Sequence, residues 1–202
     1  MSERRFPASQ AQRLEDPERL VWLPPAEVVT ALGIQSGMTV ADVGAGTGYL
    51  SLPLAAALGP KGRVYAVDAQ EEMLRWIAAK VENSEASSRA ALAEIALVHA
   101  DAVATTLPSA SCDLYLSANV WHELEDVKTV LAEAARVLKA DGRLAILDWR
   151  PDVERNAGPP LDHRVPTEVV KQELESAGFR SVNIGRVGLY SWLVQAERPA
   201  SV

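Results

Sequence analysis

Residues 39–49 read Thr39-Val40-Ala41-Asp42-Val43-Gly44-Ala45-Gly46-Thr47-Gly48-Tyr49: a short apolar run, an acid near its end, then glycines at alternate positions. An apolar run of this length bounded by glycines has the pattern of a buried strand. Glycines directly after it let a ligand approach the backbone of the turn that follows. Two more aspartates stand in the same relation to strands. Asp68 closes Arg63-Val64-Tyr65-Ala66-Val67, and Asp101 follows Ile95-Ala96-Leu97-Val98-His99. If these strands are parallel neighbours, the three carboxylates gather along the sheet edge where open α/β sheets bind ligands. An acid-lined crevice suits a ligand with positive charge and sugar hydroxyls, and suits a pyrophosphate poorly.

Outward from that stretch, apolar strands alternate with helical segments. Strands are expected at 39–43, 63–67, 95–99, 113–117 and 143–148, with helices over about 48–58, 70–82 and about 126–138. Near-continuous apolar strands such as Leu144-Ala145-Ile146-Leu147 are what a sheet covered on both faces requires. The fold class is therefore α/β, a doubly wound, mostly parallel sheet with helices on both faces. Pro53 should bend the first helix unless that helix begins later. Asn83 to Ser88 reads as a polar break. Arg150 to Arg164, with Gly158-Pro159-Pro160, reads as a surface loop at the ligand-binding edge. A helix follows from about Thr167 to Gly178. The strands 180–187 and 190–196 are separated by Gly188, and so short a connection allows only antiparallel pairing. Before the sheet, residues 1–15 are polar and unpatterned, and helix starts are marked at Asp16-Pro17-Glu18 and Pro24-Pro25. Residues 1–24 are thus expected to form a lid or flank, 25–197 the main domain and 198–202 a tail.

The 202 residues are enough for one domain that buries roughly 70% of its unfolded surface. With 48% apolar and 23% charged residues the composition is that of an ordinary globular protein. A net charge of −7 argues against a broad nucleic-acid-binding face, which needs clustered Lys and Arg. The single cysteine, Cys112, excludes an internal disulfide and a thiolate metal cluster. The amino terminus lacks an apolar stretch of signal-peptide length, and no run anywhere approaches the ~18 apolar residues of a membrane span. The expected setting is cytoplasmic, with a small-molecule partner, no nucleic acid and no membrane; a homodimer is compatible. No grouping of His, Cys and carboxylates has metal-ligand spacing, so no metal is expected.

In its glycine turn the chain places Tyr49 where a dinucleotide fingerprint has its third glycine, and Asp42 precedes the turn by two residues. With Val67-Asp68, Ala100-Asp101-Ala102 and Cys112-Asp113-Leu114-Tyr115, these residues resemble the class I S-adenosylmethionine-dependent methyltransferases over about residues 25–197. The resemblance implies a Rossmann-like sheet of seven strands, the last antiparallel, and S-adenosyl-L-methionine as cofactor. It implies that Gly44, Gly46 and Gly48, with Ala45 in the same turn, let the backbone approach the methionine part. Asp42 would meet its amino end, Asp68 both ribose hydroxyls, and Asp101 with Ala102 the adenine amino group. Ala69 and Met73 would touch the adenine ring, and Asn119 would line the methionine end. Tyr49 either closes on the cofactor or packs a helix.

Methyl transfer needs positioning above all, and a base only where the acceptor atom carries a proton. Two histidines follow predicted strand ends and are the catalytic candidates. His122 lies in Asn119-Val120-Trp121-His122-Glu123 and either faces the substrate with Trp121 or merely opens a helix beside a buried Trp121. His163 lies in the 150–164 loop and is a base or a solvent-exposed loop residue. Asp148 and Trp149 are weaker candidates, His99 reads as structural, and Trp22 reads as a core anchor. After Asn119 the chain lacks the Pro-Pro-aromatic tetrapeptide of relatives that methylate base or glutamine amino groups, which favours a small-molecule acceptor. The competing readings are a nicotinamide-dependent oxidoreductase and a noncatalytic S-adenosylmethionine-binding regulatory module.

Overall fold

The structure, a computed structural model, describes residues 5–154 and 158–200. A 3-10 helix over Ala8–Glu15 leads into α1 (Arg19–Trp22) and α2 (Pro25–Ala31). There follow β1 (Thr39–Val43), α3 (Ser51–Leu58), β2 (Arg63–Asp68), α4 (Glu71–Glu82), α5 (Ala86–Ala91), β3 (Glu94–His99) and β4 (Cys112–Ala118). The rest comprises α6 (Val127–Val137), β5 (Leu138–Trp149), α7 (Thr167–Ser176), β6 (Arg180–Val187) and β7 (Ser191–Glu197). The seven strands form one sheet in the order β3-β2-β1-β4-β5-β7-β6. Strands β3 to β5 are mutually parallel, and β7 runs antiparallel to both of its neighbours.

Period-two alternation divides the core. On β4, Leu114 and Leu116 point to the layer of α2 and α3, where Val28, Leu32, Leu54 and Leu58 are buried. Tyr115 points to the opposite layer, with Val130 and Leu131 of α6 and Val170 and Leu174 of α7. Each fully buried Leu or Val contributes roughly 1.5–3 kcal/mol, so the central strands anchor both layers and hold the strand ends in place.

Several boundaries differ from the sequence reading. Helix α3 begins at Ser51, so Pro53 sits in its first turn, where a missing N–H costs nothing, and the helix need not bend. Strand β5 extends back to Leu138 through a register shift against β4 between Cys112 and Leu114. The polar stretch after Asn83 contains α5, and part of the supposedly unpatterned amino-terminal segment is the 3-10 helix. In the 150–164 loop, residues 155–157 lie outside the described residues, as do residues 1–4 and 201–202 of the terminal segments. No helix among the described residues is long and apolar enough to cross a membrane.

Candidate functional site

The strand order reverses between β1 and β4, and open α/β sheets bind ligands at such a switch point. Gly44 leaves β1 with φ +78°, and a Cβ built there would collide with the Val120 side chain, just past β4. At this φ, and with the Val120 side chain so near, any residue but glycine would be strained. Above them lies a cavity of about 520 Å3, within the usual range for a small-molecule site.

Asp42, Asp68 and Asp101 all line this cavity, together with Gly44, Ala45, Gly46 and Tyr49 of the turn. Ala69, Met73, Ala102 and Asn119 also line it, as do His122 and His163. Gly48 is the exception. A Cβ there would stand 2.8 Å from Leu52 Cδ1 and 2.9 Å from Ile77 Cγ1, so its position serves packing of the turn against α3 and α4 rather than ligand approach.

The acids differ in their surroundings. Asp42 is 2% exposed and accepts a hydrogen bond from Ser51 Oγ at 2.6 Å. Burial, reinforced by nearby Asp68, pushes its carboxyl up to about 6. Asp68 accepts the backbone N–H groups of Gly46 at 2.8 Å and Gln70 at 2.9 Å. It braces the turn rather than capping α4, whose N-cap is Gln70. Asp101 pairs with Arg5 at 2.8 Å. His99, the structural histidine, has Nε2 3.1 Å from the Ala69 carbonyl.

Three residues that line this cavity each carry a polar atom buried without a hydrogen-bond partner among the described residues: Arg19 Nε, Thr47 Oγ1 and Asn119 Oδ1. Buried polar groups are normally satisfied, so these atoms and the poorly compensated Asp42 mark a place built for a polar ligand. A zwitterionic amino-acid end meets that demand: Asp42 and Asn119 offer acceptors to an ammonium, and Arg19 offers donors to a carboxylate. The residues present therefore fit S-adenosylmethionine. They fit a pyrophosphate poorly, because the Gly46 amide already serves Asp68 and the turn is flanked by carboxylates.

The amino-terminal segment roofs the cavity. Gln70 binds it twice, accepting from Ala8 N at 3.0 Å and donating to the Phe6 carbonyl at 2.9 Å. Lys80 Nζ reaches both Glu15 and the Thr47 carbonyl at 2.8 Å. The Arg19 guanidinium lies 3.9 Å from the Tyr49 ring centroid, and burial lowers it to about 10. The Tyr49 hydroxyl donates to the Leu23 carbonyl at 2.6 Å, so Tyr49 fastens this segment while facing the cavity.

The far end of the cavity is aromatic. Trp22 and Trp149 have ring centroids 4.9 Å apart, Gly158 lies against the Trp149 ring, and Pro159 and Pro160 line the same cavity. Trp22 thus forms a cavity wall while packing, partly buried, against the core cluster that holds its fully buried neighbour Leu23. The turn between β6 and β7 holds this wall from outside, with Leu189 N donating to the Trp22 carbonyl at 2.9 Å and Gly188 N to Glu27 Oε1 at 2.9 Å. Trp121 and His122 part company: Trp121 is buried and donates to Glu173 of α7 at 3.0 Å, whereas His122 faces the cavity.

His122 Nδ1 lies 2.8 Å from Asp148 Oδ1. Asp148, 1% exposed, also accepts the backbone N–H groups of His122 at 2.9 Å and Trp149 at 2.7 Å. Burial works against a charged ring at His122, but the Asp148 carboxylate, aided by Glu123, outweighs it and raises the imidazole above its ordinary range. Glu123 is pushed up to about 7 by burial. Among the described residues no group of three or more His, Cys, Asp and Glu could hold a metal.

Arg5, Arg19, Thr47, Gln70 and Glu123 line the cavity without having been singled out from the sequence. The amino-terminal two carried no periodic signal; Thr47 was visible only as a member of the turn.

Comparison with known proteins agrees with this geometry. The family model described as methyltransferase domain matches residues 41–146. A crystal structure of a SAM-dependent methyltransferase from Aquifex aeolicus is 34% identical, with a TM-score of 0.86 over 96% of this chain and 100% of that one. A demethylmenaquinone methyltransferase of Listeria welshimeri is 32% identical over 122 residues, 60% of this chain and 49% of its own length. One of Geobacillus kaustophilus is also 32% identical, over 60% of this chain and 50% of its own. The matched part thus spans about half the length of these curated relatives. With the glycine turn, the acid-lined switch point and the strand order in place, the chain belongs to the class I S-adenosylmethionine-dependent methyltransferases.

Proposed function

We propose that this protein transfers a methyl group from S-adenosylmethionine to a small-molecule acceptor bound at the aromatic end of the cavity. The observation that carries the reading is the convergence of Asp42, Asp68 and Asp101 on one cavity with the orphaned polar atoms of Arg19, Thr47 and Asn119. Asp42, Asn119 and Arg19 would hold the methionine end, Asp68 the ribose, and Asp101, Ala102, Ala69 and Met73 the adenine. Bound there, S-adenosylmethionine supplies a methyl carbon made electrophilic by a sulfonium. The chain's own part is to align the acceptor, to exclude water with residues 5–24 acting as a roof, and to take a proton where the acceptor has one. His122 and His163 both line the cavity and are the histidines available as a base for that step. A menaquinone-type acceptor is the finer reading, supported by the names of the curated relatives and by the Trp22–Trp149 wall. A cytoplasmic setting accords with the single buried, free cysteine.

Calorimetry tests the reading. S-adenosylmethionine and S-adenosylhomocysteine should bind with micromolar affinity, and added NADH should show no binding-induced fluorescence change. Absence of heat with both adenosyl ligands would refute the proposal. Binding without labelled-methyl transfer into a cell metabolite extract would point to a regulatory module instead.

A further inference from the structure

We propose that Asp148 is a positioning residue that fixes His122 as a general base, and that the acceptor is a planar, hydroxyl-bearing compound that gives up its proton during transfer. The inference rests on the methyltransferase reading and specifies the chemistry of its acceptor end.

Both oxygens of Asp148 already accept backbone N–H groups, from Trp149 at Oδ1 and from His122 at Oδ2. A carboxylate so surrounded offers His122 only acceptor lone pairs. In the neutral ring the short contact at Nδ1 therefore places the proton on Nδ1 and leaves the lone pair on Nε2. His122 is 7% exposed and borders the cavity. Its Nε2 stands 3.8 Å from Glu123 Oε1, too far for a hydrogen bond.

The groups acting on His122 come from three elements. Asp148 belongs to β5, Glu123 to the imidazole's own 3-10 turn, and Arg164 to the loop before α7. Arg164 is itself occupied, donating to the carbonyls of Pro159, Arg150 and Val153, and its guanidinium lies 5.5 Å from the Trp149 ring centroid. It thereby ties the proline segment to Trp149, and with Trp22, whose ring is tilted 35° to that of Trp149, these form an aromatic wall of the cavity that His122 borders. A neutral amine could attack through its free lone pair without such a dyad. A hydroxylated ring uses both the wall and the base.

In the step, the acceptor O–H bond breaks and its proton passes to His122 Nε2. The electron pair left on the acceptor, at oxygen or at a ring carbon conjugated to it, forms the bond to the methyl carbon. The carbon–sulfur bond breaks and its pair stays on sulfur. Sulfonium charge is thus exchanged for imidazolium charge beside Asp148.

The test has two parts. Nitrogen NMR of histidine-labelled protein should show the neutral His122 ring protonated at Nδ1 and bare at Nε2, a signature lost in Asp148→Asn; an Nε2-protonated ring in the wild type overturns the proposal. Labelled S-adenosylmethionine is then offered with hydroxylated benzenes and naphthalenes and with the matching amines. Transfer should go to the hydroxylated compounds and fall by ~100- to ~10,000-fold in His122→Gln. Asp148→Asn should lower kcat by about 100-fold or more and move the rising limb of the pH profile to lower pH. A purely structural Asp148 would leave that limb in place. Equal transfer to amines, no transfer to any hydroxylated compound, or independence from His122 overturns the proposal. S-adenosylhomocysteine binding by the same proteins separates the readings: its loss in the wild type sinks the cofactor site, while its retention confines failure to the dyad.

Discussion

The Gly46 amide donates to Asp68 Oδ2 at 2.8 Å, tying the glycine turn after β1 to the end of β2. One carboxylate both shapes the turn and stands where the proposed ribose would lie. Asp68→Ala removes the proposed ribose acceptor and leaves the Gly46 and Gln70 amides unpaired. Affinity for S-adenosylhomocysteine should fall about 30-fold or more, since hydrogen bonds to a charged group are worth ~1.5–3 kcal/mol. Calorimetry checks this, and Asp68→Asn should lose less because an amide oxygen can still accept.

Asp42 links binding to pH. Its carboxyl stands at about 6 in the folded protein against an ordinary 3.8, so the native state holds a proton that the unfolded chain has released. Stability of the unliganded protein should therefore decline as pH rises from about 4 to about 6, by roughly 3 kcal/mol. A ligand ammonium favours the ionised carboxylate, so cofactor affinity should move the other way, rising through about pH 6. Denaturant melts and calorimetry at pH 4.5, 6 and 7.5 measure both slopes, and Asp42→Asn should flatten them.

Arg19 is proposed to meet the carboxylate of the methionine end. Arg19→Gln should weaken S-adenosylhomocysteine about tenfold or more yet leave 5′-methylthioadenosine, which lacks the amino-acid end, within about twofold. Equal losses for both ligands would assign Arg19 to the roof alone, through its stacking on Tyr49.

Glu133 of α6 holds the loop after Asp101. Its carboxylate accepts from Arg136, at 2.7 Å to both Nε and Nη2, and from Thr105 N at 2.8 Å and Oγ1 at 2.6 Å. The Arg136 hydrogen bonds, with those from Thr105, bring the carboxyl down to about 2. A lowered folded pKa contributes stability above the unfolded value of 4.5 that is lost as pH falls toward 2. Glu133→Ala should cost about 2–4 kcal/mol at pH 7, because buried donors lose their acceptor. The gap from wild type should narrow in melts at pH 3.

Strands β1 and β2 were legible because each is a short apolar run closed by an acid or a turn residue, and Asp42, Asp68 and Asp101 were legible because they end or follow such runs. The 3-10 helix at Ala8–Glu15 was not, since its polar residues carry no apolar period and it is held by Gln70 and Lys80, about 60 residues away. Helix α5 was hidden by its serines. For Gly48, alternate spacing suggested a ligand contact, whereas the approach of Ile77 from α4 determines its use. Asp148 looked weak as a strand-end acid because its partner, His122, is 26 residues earlier and meets it only once β4 and β5 pair. Signals confined to one strand end survive in a linear reading; those made by two elements meeting do not.

The turn at Gly188 that secures Trp22 from outside has a consequence for synthesis. Strands β1 to β4 and the glycine turn leave the ribosome well before residues 188–190, and the domain folds as a unit once the later strands are made. The wall beside Trp149 is completed only when the last hairpin docks.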